Sequence, residues 1–161
     1  IVLEEARADM SCVTEDLLFE LNTSFLQKCS RKKGVIEGAF EVLDYCRNRY
    51  DMHIITNGFE EVQSIKLRSS GLDKYFDKVI TSEKAGHKKP NAGIYTYALK
   101  HTGAILEESL MIGDNLMTDI KGARDFGMDH VYFNPKRSKH NESVTEEITN
   151  LIDLLSGLLR N

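Results

Sequence analysis

Residues 110–133 read LMIGDNLMTDIKGARDFGMDHVYF, and this stretch decides the fold. The apolar run 110–112 has the character of a short buried strand, and it ends at Gly113-Asp114-Asn115, a turn signal. A helical pattern containing Ile120 and Ala123 follows and ends at Gly127. Residues 130–133 then form another apolar run. The order of strand, helix and strand predicts parallel strands joined by a helical crossover.

The same alternation continues outward from this stretch. Upstream, strands are predicted at 53–56 and 78–81, with helices at 38–49, 59–71 and 90–103. Downstream, a capping box at 143–146 predicts a C-terminal helix that carries Ile148, Leu151 and Leu155. The predicted fold class is therefore α/β, with a three-layer, Rossmann-like parallel sheet covered by helices on both faces.

Three polar signals lie at or just beyond the carboxyl ends of predicted strands, where open parallel sheets form their sites. The signals are Thr56-Asn57-Gly58, Lys88-Lys89-Pro90, and Gly113-Asp114-Asn115 with Asp119 five residues beyond Asp114. A hydroxyl, an ammonium and a carboxylate are therefore expected to converge.

This set suits a phosphoryl group held next to a metal ion. The Thr56 hydroxyl and the backbone N–H groups of Asn57 and Gly58 can donate to phosphoryl oxygens. A lysine supplies positive charge for the charge that builds up during transfer, and a carboxylate is a hard ligand for Mg²⁺. None of these groups is the nucleophile that the chemistry also needs.

Each signal alone also has a purely structural explanation. Thr-Asn-Gly is a common turn after a strand, and Lys-Lys-Pro is commonly a solvated loop that enters a helix. Asp114 could serve only as an N-cap, and Asp119 could only complement a helix dipole. The combination, in this order and at strand ends, is more specific than any of its members.

On these motifs the chain resembles the haloacid dehalogenase-like (HAD) phosphohydrolases. The resemblance covers about residues 35–135. The Thr-Asn-Gly-Phe sequence at 56–59 is most similar to that of the pyrimidine-nucleotidase branch. The matching segments are 54–59, 69–77, 89–99, 112–115, 119–120, 122–123 and 127–128.

The resemblance implies a role for each matching residue. Thr56 matches the phosphate-binding hydroxyl, and Lys89, directly before Pro90, matches the family's invariant cation. Asp114 matches the Mg²⁺ ligand, and Asp119 matches the second acid of that motif, which acts without binding the metal itself. A small phosphomonoester is the implied substrate.

The family's nucleophile is an aspartate in an Asp-x-Asp motif on the first strand, which also carries the general acid/base. No two aspartates of this chain are separated by one residue. We therefore expect the nucleophile strand to lie outside these 161 residues, which makes the chain a fragment or a shortened product that is inactive alone.

The charge balance changes at the basic turn 31–34, which predicts a domain boundary there. The resemblance implies that 1–33 is the C-terminal part of a small helical cap and that 34–161 is the α/β core, lacking its first strand. The net charge of −4 arises entirely within the first thirty residues, so there is no basic stripe for nucleic acid. The three cysteines fit neither a disulfide framework nor a zinc site, which favours a reducing cytoplasm. No apolar run is long enough to cross a membrane.

Three other functions are compatible with parts of the pattern. Within the superfamily, a phosphomutase or a dehalogenase is possible, although a dehalogenase would not need the metal that Asp114 implies. Outside enzymes, an inactive remnant that binds phosphate or a protein partner remains open. A phospho-receiver domain is rejected, because there the acids come before the threonine and the Lys-Pro comes last.

Overall fold

The computed structural model describes Thr14 and residues 34–158. The cap expected at 1–33 lies outside the described residues apart from Thr14. The boundary between cap and core therefore stays a prediction.

Residues 34–158 form six α-helices and five strands. The helices are α1 (Ala39–Cys46), α2 (Glu60–Ser70), α3 (Ser82–Ala85), α4 (Ala92–Thr102), α5 (Lys121–Phe126) and α6 (Asp153–Leu158). The strands are β1 (His53–Thr56), β2 (Lys78–Thr81), β3 (Leu110–Gly113), β4 (Asp129–Phe133) and β5 (Glu146–Ile148). Short 3₁₀ turns form at Asp73–Tyr75 and Leu106–Glu108, and a π-helical turn, Leu116–Ile120, precedes α5.

Every strand pairing in the described part of the chain is parallel. β1 pairs with β2, aligning Thr56 with Thr81, whereas β3, β4 and β5 form a separate three-stranded sheet in that order. Among residues 34–158, no strand pairs with the second edge of β1 or of β3. The predicted α/β class with parallel strands is confirmed.

Two apolar clusters show that helices cover opposite faces of the strands. One cluster packs α4 and α5 against β2 and β3, with Ile94 and Tyr95 wholly buried. The other packs α1 and α6 against Val131 and Phe133 of β4 and Ile148 of β5. Burying each such side chain contributes about 1.5–3 kcal/mol, so these clusters supply much of the stabilisation of the fold.

The prediction that a helix begins at the capping box 143–146 is wrong. Residues 146–148 instead form β5, because Ile148 is buried beside Val131 and Phe133 in the second cluster. Only Asp153–Leu158 is helical in that part of the described chain. Tertiary burial thus overrides a local capping signal.

Glu147 secures β5 to the loop that precedes it. Its carboxylate accepts a hydrogen bond from Asn134 Nδ2 at 2.8 Å and lies 3.0 Å from His140 Nε2. These two contacts hold the pKa of Glu147 below its ordinary value, and the hydrogen bond from Asn134 has the larger effect. With a lowered pKa in the folded state, Glu147 stabilises the fold above its unfolded pKa, and this contribution is lost as the pH falls through its folded pKa.

Glu147→Gln is therefore expected to destabilise the protein more at neutral pH than in acid. The measurement is denaturant unfolding at neutral pH and at pH values below about 4.5, the ordinary pKa of a glutamate. An equal loss of stability at both ends of this range would contradict the assignment.

Two further observations concern sequence-based expectations. Cys46 is a buried free thiol, which fits the expectation that the cysteines form no disulfide framework, and burial raises its pKa. None of the helices in the described part of the chain is long and apolar enough to span a membrane.

Candidate functional site

The Lys89 ammonium connects the carboxyl edges of the two sheets. Its Nζ donates to the carbonyl oxygen of Ile55 in β1 and lies 2.7 Å from Oδ1 of Asp119, in the π-helical turn after β3. Both side chains of the ion pair are only 9% exposed. An ammonium has three hydrogens, so these two contacts leave one N–H to donate to a ligand.

Asp119 is held in place by several donors as well as by Lys89. Its Oδ2 accepts from the backbone N–H of Asn115 at 3.2 Å, and its Oδ1 accepts from the Thr118 hydroxyl at 3.1 Å. Asn115 begins the turn, because its Oδ1 accepts from the N–H groups of Met117 and Thr118. Both carboxylate oxygens of Asp119 are therefore engaged.

Two neighbours of Asp119 explain the close packing at this point. A Cβ at Gly113 would lie 2.5 Å from Oδ2 of Asp119, so only glycine lets β3 approach the carboxylate. The Tyr95 hydroxyl donates to the carbonyl of Thr118 at 3.0 Å. Burial, together with the Asp119 charge, raises the pKa of Tyr95 above its ordinary range, so this hydroxyl stays a donor.

Thr56 ends β1 with its hydroxyl oriented by the following turn. The Gly58 N–H donates to Oγ1 of Thr56 at 3.1 Å. Since the oxygen accepts this bond, the hydroxyl hydrogen remains free to donate to a phosphoryl oxygen. The Gly58 N–H, expected from the sequence to donate to a phosphoryl oxygen, thus donates within the turn in this structure.

Asn57 contacts Lys89 through its side chain. Its Nδ2 donates to the Lys89 carbonyl at 3.0 Å, and its Oδ1 accepts from the Lys89 N–H at 2.8 Å. The peptide bond between Lys89 and Pro90 is cis.

Asp114 is an exposed carboxylate directly after β3. Its oxygen atoms fit Mg²⁺, whereas both oxygens of Asp119 already accept hydrogen bonds, from Lys89 and Thr118 at Oδ1 and from Asn115 at Oδ2. Within residues 34–158 and Thr14, no cluster of three or more histidine, cysteine or acidic side chains could hold a metal ion. Asp114 is thus not part of a ready-made ligand cluster among the described residues, and one carboxylate by itself is a weak metal site.

The contacts unite Thr56 with Gly58, Asn57 with Lys89, and Lys89 with Asp119. Asp114 follows β3 directly and precedes Asn115, whose N–H binds Asp119. Lys88 is exposed, unlike its neighbour. A surface cleft of about 420 Å³ lies elsewhere, on α3 and α4, and none of the predicted site residues lines it.

Sequence reasoning missed three contributors to the site. Asn115 and Thr118 position Asp119, and the Ser82 hydroxyl donates to the Asn57 carbonyl at 3.2 Å. The spacing of Asn115 and Thr118 is that of an N-cap and the N–H it accepts from, which could have indicated the first two. No local signal pairs Ser82 with Asn57.

The described core is thus a parallel α/β domain that carries the Thr56 hydroxyl, the Lys89–Asp119 ion pair and the exposed Asp114 carboxylate at or just beyond the carboxyl ends of its strands. The family model for haloacid dehalogenase-like hydrolases matches residues 4–133, and the chain belongs to this family.

Three known proteins illustrate the similarity. The Bacillus subtilis protein YfnB is 33% identical over 159 residues, spanning 94% of this chain and 68% of YfnB. A magnesium-bound structure of YfnB has a TM-score of 0.81 at 31% identity, covering 86% of this chain and 61% of that one.

The pyrimidine 5′-nucleotidase PynA of Streptococcus pneumoniae is 35% identical, over 78% of this chain and 55% of its own length. A 2-haloacid dehalogenase structure from Pseudomonas syringae has a TM-score of 0.79 at 26% identity, covering 98% of this chain and 66% of that one. The chain thus spans about half to two thirds of these relatives.

Proposed function

We propose that the protein containing this chain is a Mg²⁺-dependent phosphohydrolase of small phosphomonoesters, with nucleoside monophosphates as the first substrates to test. The observation that carries the proposal is the Lys89 ammonium, held by Ile55 and Asp119 with one N–H left for a ligand. A fixed, nearly buried cation is suited to stabilise charge that develops on a phosphoryl group.

The nucleophile in this proposal is an aspartate outside these 161 residues. Its oxygen bonds to phosphorus as the bond to the substrate's ester oxygen breaks, and the general acid/base of the same missing motif gives that oxygen a proton. Water, deprotonated by the same group, then hydrolyses the phosphoaspartyl group to inorganic phosphate and the free aspartate. Thr56 donates its hydroxyl hydrogen to a phosphoryl oxygen, and Lys89 donates to another. The free edges of β1 and β3 among the described strands offer a place for the strand that brings the aspartate.

Asp114 would hold the metal, and Asp119 would keep Lys89 in place. A bound Mg²⁺ supplies positive charge beside the phosphoryl oxygens. The exposed Asp114 carboxylate favours this metal-dependent reaction over a metal-independent dehalogenation. The free thiol of Cys46 supports a reducing, cytoplasmic location for the protein.

Asp114→Asn is expected to raise the Mg²⁺ concentration that gives half-maximal turnover by at least about tenfold, because the metal loses a charged ligand. The measurement is a Mg²⁺ titration of turnover in the full-length protein, with calorimetric Mg²⁺ binding beside it. Asp129→Asn is the matched control, since Asp129 is an exposed aspartate at the start of β4 rather than at the end of a strand. An unchanged Mg²⁺ requirement in Asp114→Asn would show that Asp114 is not the ligand.

The proposed function itself is tested by a substrate screen on the longest native gene product. Nucleoside monophosphates, sugar phosphates and 2-haloacids are each offered with Mg²⁺ and with a chelator. We expect release of inorganic phosphate that the chelator abolishes. Metal-independent halide release would support a dehalogenase, phosphate transfer between two positions of a sugar would support a mutase, and no turnover at all would support an inactive remnant.

A further inference from the structure

The Asn57 side chain binds both backbone polar groups, the N–H and the carbonyl, of Lys89, which is 32 positions away in the sequence. Its Nδ2 donates to the Lys89 carbonyl at 3.0 Å, while its Oδ1 accepts from the Lys89 N–H at 2.8 Å. We refer to this pair of hydrogen bonds as the Asn57 clasp. The clasp uses the amide oxygen and one of the two Nδ2 hydrogens of an otherwise exposed side chain.

The backbone of Asn57 is also fixed. Its carbonyl accepts from the hydroxyl of Ser82, which is buried at 8% exposure. Ser82 directly follows β2, whose Thr81 is paired with Thr56 of β1. The clasp therefore extends from the paired strands to the backbone of the loop that carries Lys89.

Lys89 consequently has two attachments, one at each end. The Asn57 clasp holds its backbone, and Ile55 and Asp119 hold its ammonium. A lysine side chain has four rotatable carbon–carbon bonds, so its ammonium keeps a defined position only if both ends are held. Small displacements of a catalytic group can be costly, because about 1 Å of misplacement can lower a rate by about a hundredfold.

We propose that Asn57 is a positioning residue, whose side chain orients the Lys89 ammonium toward the phosphoryl group and acts on the reaction only through Lys89. This inference rests on the proposed function. It differs from the role suggested by the sequence, in which the backbone N–H of Asn57 donates to phosphate. The two roles predict different kinetics, because Asn57→Ala removes the clasp but keeps the backbone N–H, and so would leave direct binding of phosphate by that N–H unchanged.

A double-mutant cycle in the full-length protein separates the two roles. Asn57→Ala is expected to lower kcat by about ten- to a hundredfold with little change in KM, because the misplaced cation matters most when charge develops. In a Lys89→Ala background, the same change should cost less than about twofold, since nothing is left to position. An unchanged kcat in Asn57→Ala, a full-sized loss in the Lys89→Ala background, or a loss confined to KM overturns the proposal.

Asn134→Ala is a matched control for loss of such a clasp. The Asn134 side chain binds Ser138 in the same way, with Nδ2 donating to its carbonyl and Oδ1 accepting from its N–H, both at 2.9 Å. It lies in the loop after β4 and contacts none of the predicted site residues. We expect this variant to be less stable to heat, with kcat and KM unchanged.

A readout independent of turnover keeps the proposal separate from the proposed function. In nitrogen-15 NMR of the full-length protein, Asn57→Ala should speed hydrogen exchange at the Lys89 amide and broaden the signal of its ammonium, whereas Asn134→Ala should change neither.

If Asn57→Ala does not fold, Asn57→Asp is the second variant. It keeps the acceptor and loses the donor, so the same broadening of the Lys89 ammonium signal is expected. If the wild type hydrolyses no phosphomonoester, the proposed function fails. An unaltered Lys89 signal in the Asn57 variants would overturn the clasp as a positioning device.

Discussion

Lys89→Ala in the full-length protein is expected to lower kcat by at least about a hundredfold, the size seen when one preorganised charge-stabilising donor is lost. The physical reason is the position of the ammonium, which is nearly buried and held by the Ile55 carbonyl and Asp119. Lys88→Ala is the matched control, because Lys88 is the adjacent, exposed lysine and should be nearly silent. Steady-state kinetics on the substrate found in the screen provides the comparison, and equal losses for the two lysines would contradict the assignment.

Loss of the ion pair itself could also unfold the protein. Removing Lys89 leaves the Asp119 carboxylate buried without its cation, and breaking a buried pair in this way typically costs about 3–5 kcal/mol. The double variant Lys89→Ala/Asp119→Asn removes both charges and should recover much of that stability. We expect it to fold, as judged by thermal denaturation, and still to show the loss of kcat. Recovery of turnover in the double variant would mean that the single variant lost stability rather than chemistry.

The sequence predicted what depends on local pattern. The spacing of apolar runs and turn residues placed β1, β2, β3 and β4 and therefore the parallel α/β class. It failed at 146–148, where a capping signal favoured a helix and the burial of Ile148 against the second cluster produced a strand. A capping box contributes little compared with a fully buried aliphatic side chain, so such conflicts are decided by tertiary packing.

At the site, motif order indicated which residues converge but not how they are held. The position of Lys89 before Pro90 distinguished it from Lys88, and the structure gives only Lys89 an ion pair with Asp119. The Asn57 clasp joins residues far apart in the chain, so no periodicity or local motif could indicate it. The same holds for the hydroxyl of Ser82, which reaches the Asn57 carbonyl only after β1 and β2 have paired.

The largest expected effect concerns the edges of β1 and β3. Among the described residues, β1 pairs only with β2, and β3 pairs only with β4. Leu110 and Ile112 of β3 remain 42% and 40% exposed, although strands of parallel sheets are ordinarily buried on both faces. Unpaired strand edges leave rows of N–H and C=O groups that are costly when buried and promote association when exposed.

We therefore expect the 161 residues expressed alone to aggregate, or to recruit a strand from another chain, and to show no phosphatase activity. The chain is also expected to be inactive because it has no Asp-x-Asp motif to supply the nucleophile.

Co-expression with a gene-encoded segment that carries such a motif on an apolar strand should restore solubility and turnover together, since that strand would pair with both β1 and β3. The same segment with its first aspartate changed to asparagine should restore solubility without turnover, which separates the structural from the chemical contribution. Size-exclusion chromatography, denaturant unfolding and phosphate release provide the measurements. A monomeric, cooperatively folded 161-residue chain that hydrolyses phosphomonoesters would refute the prediction, because it would need neither the strand nor its aspartate.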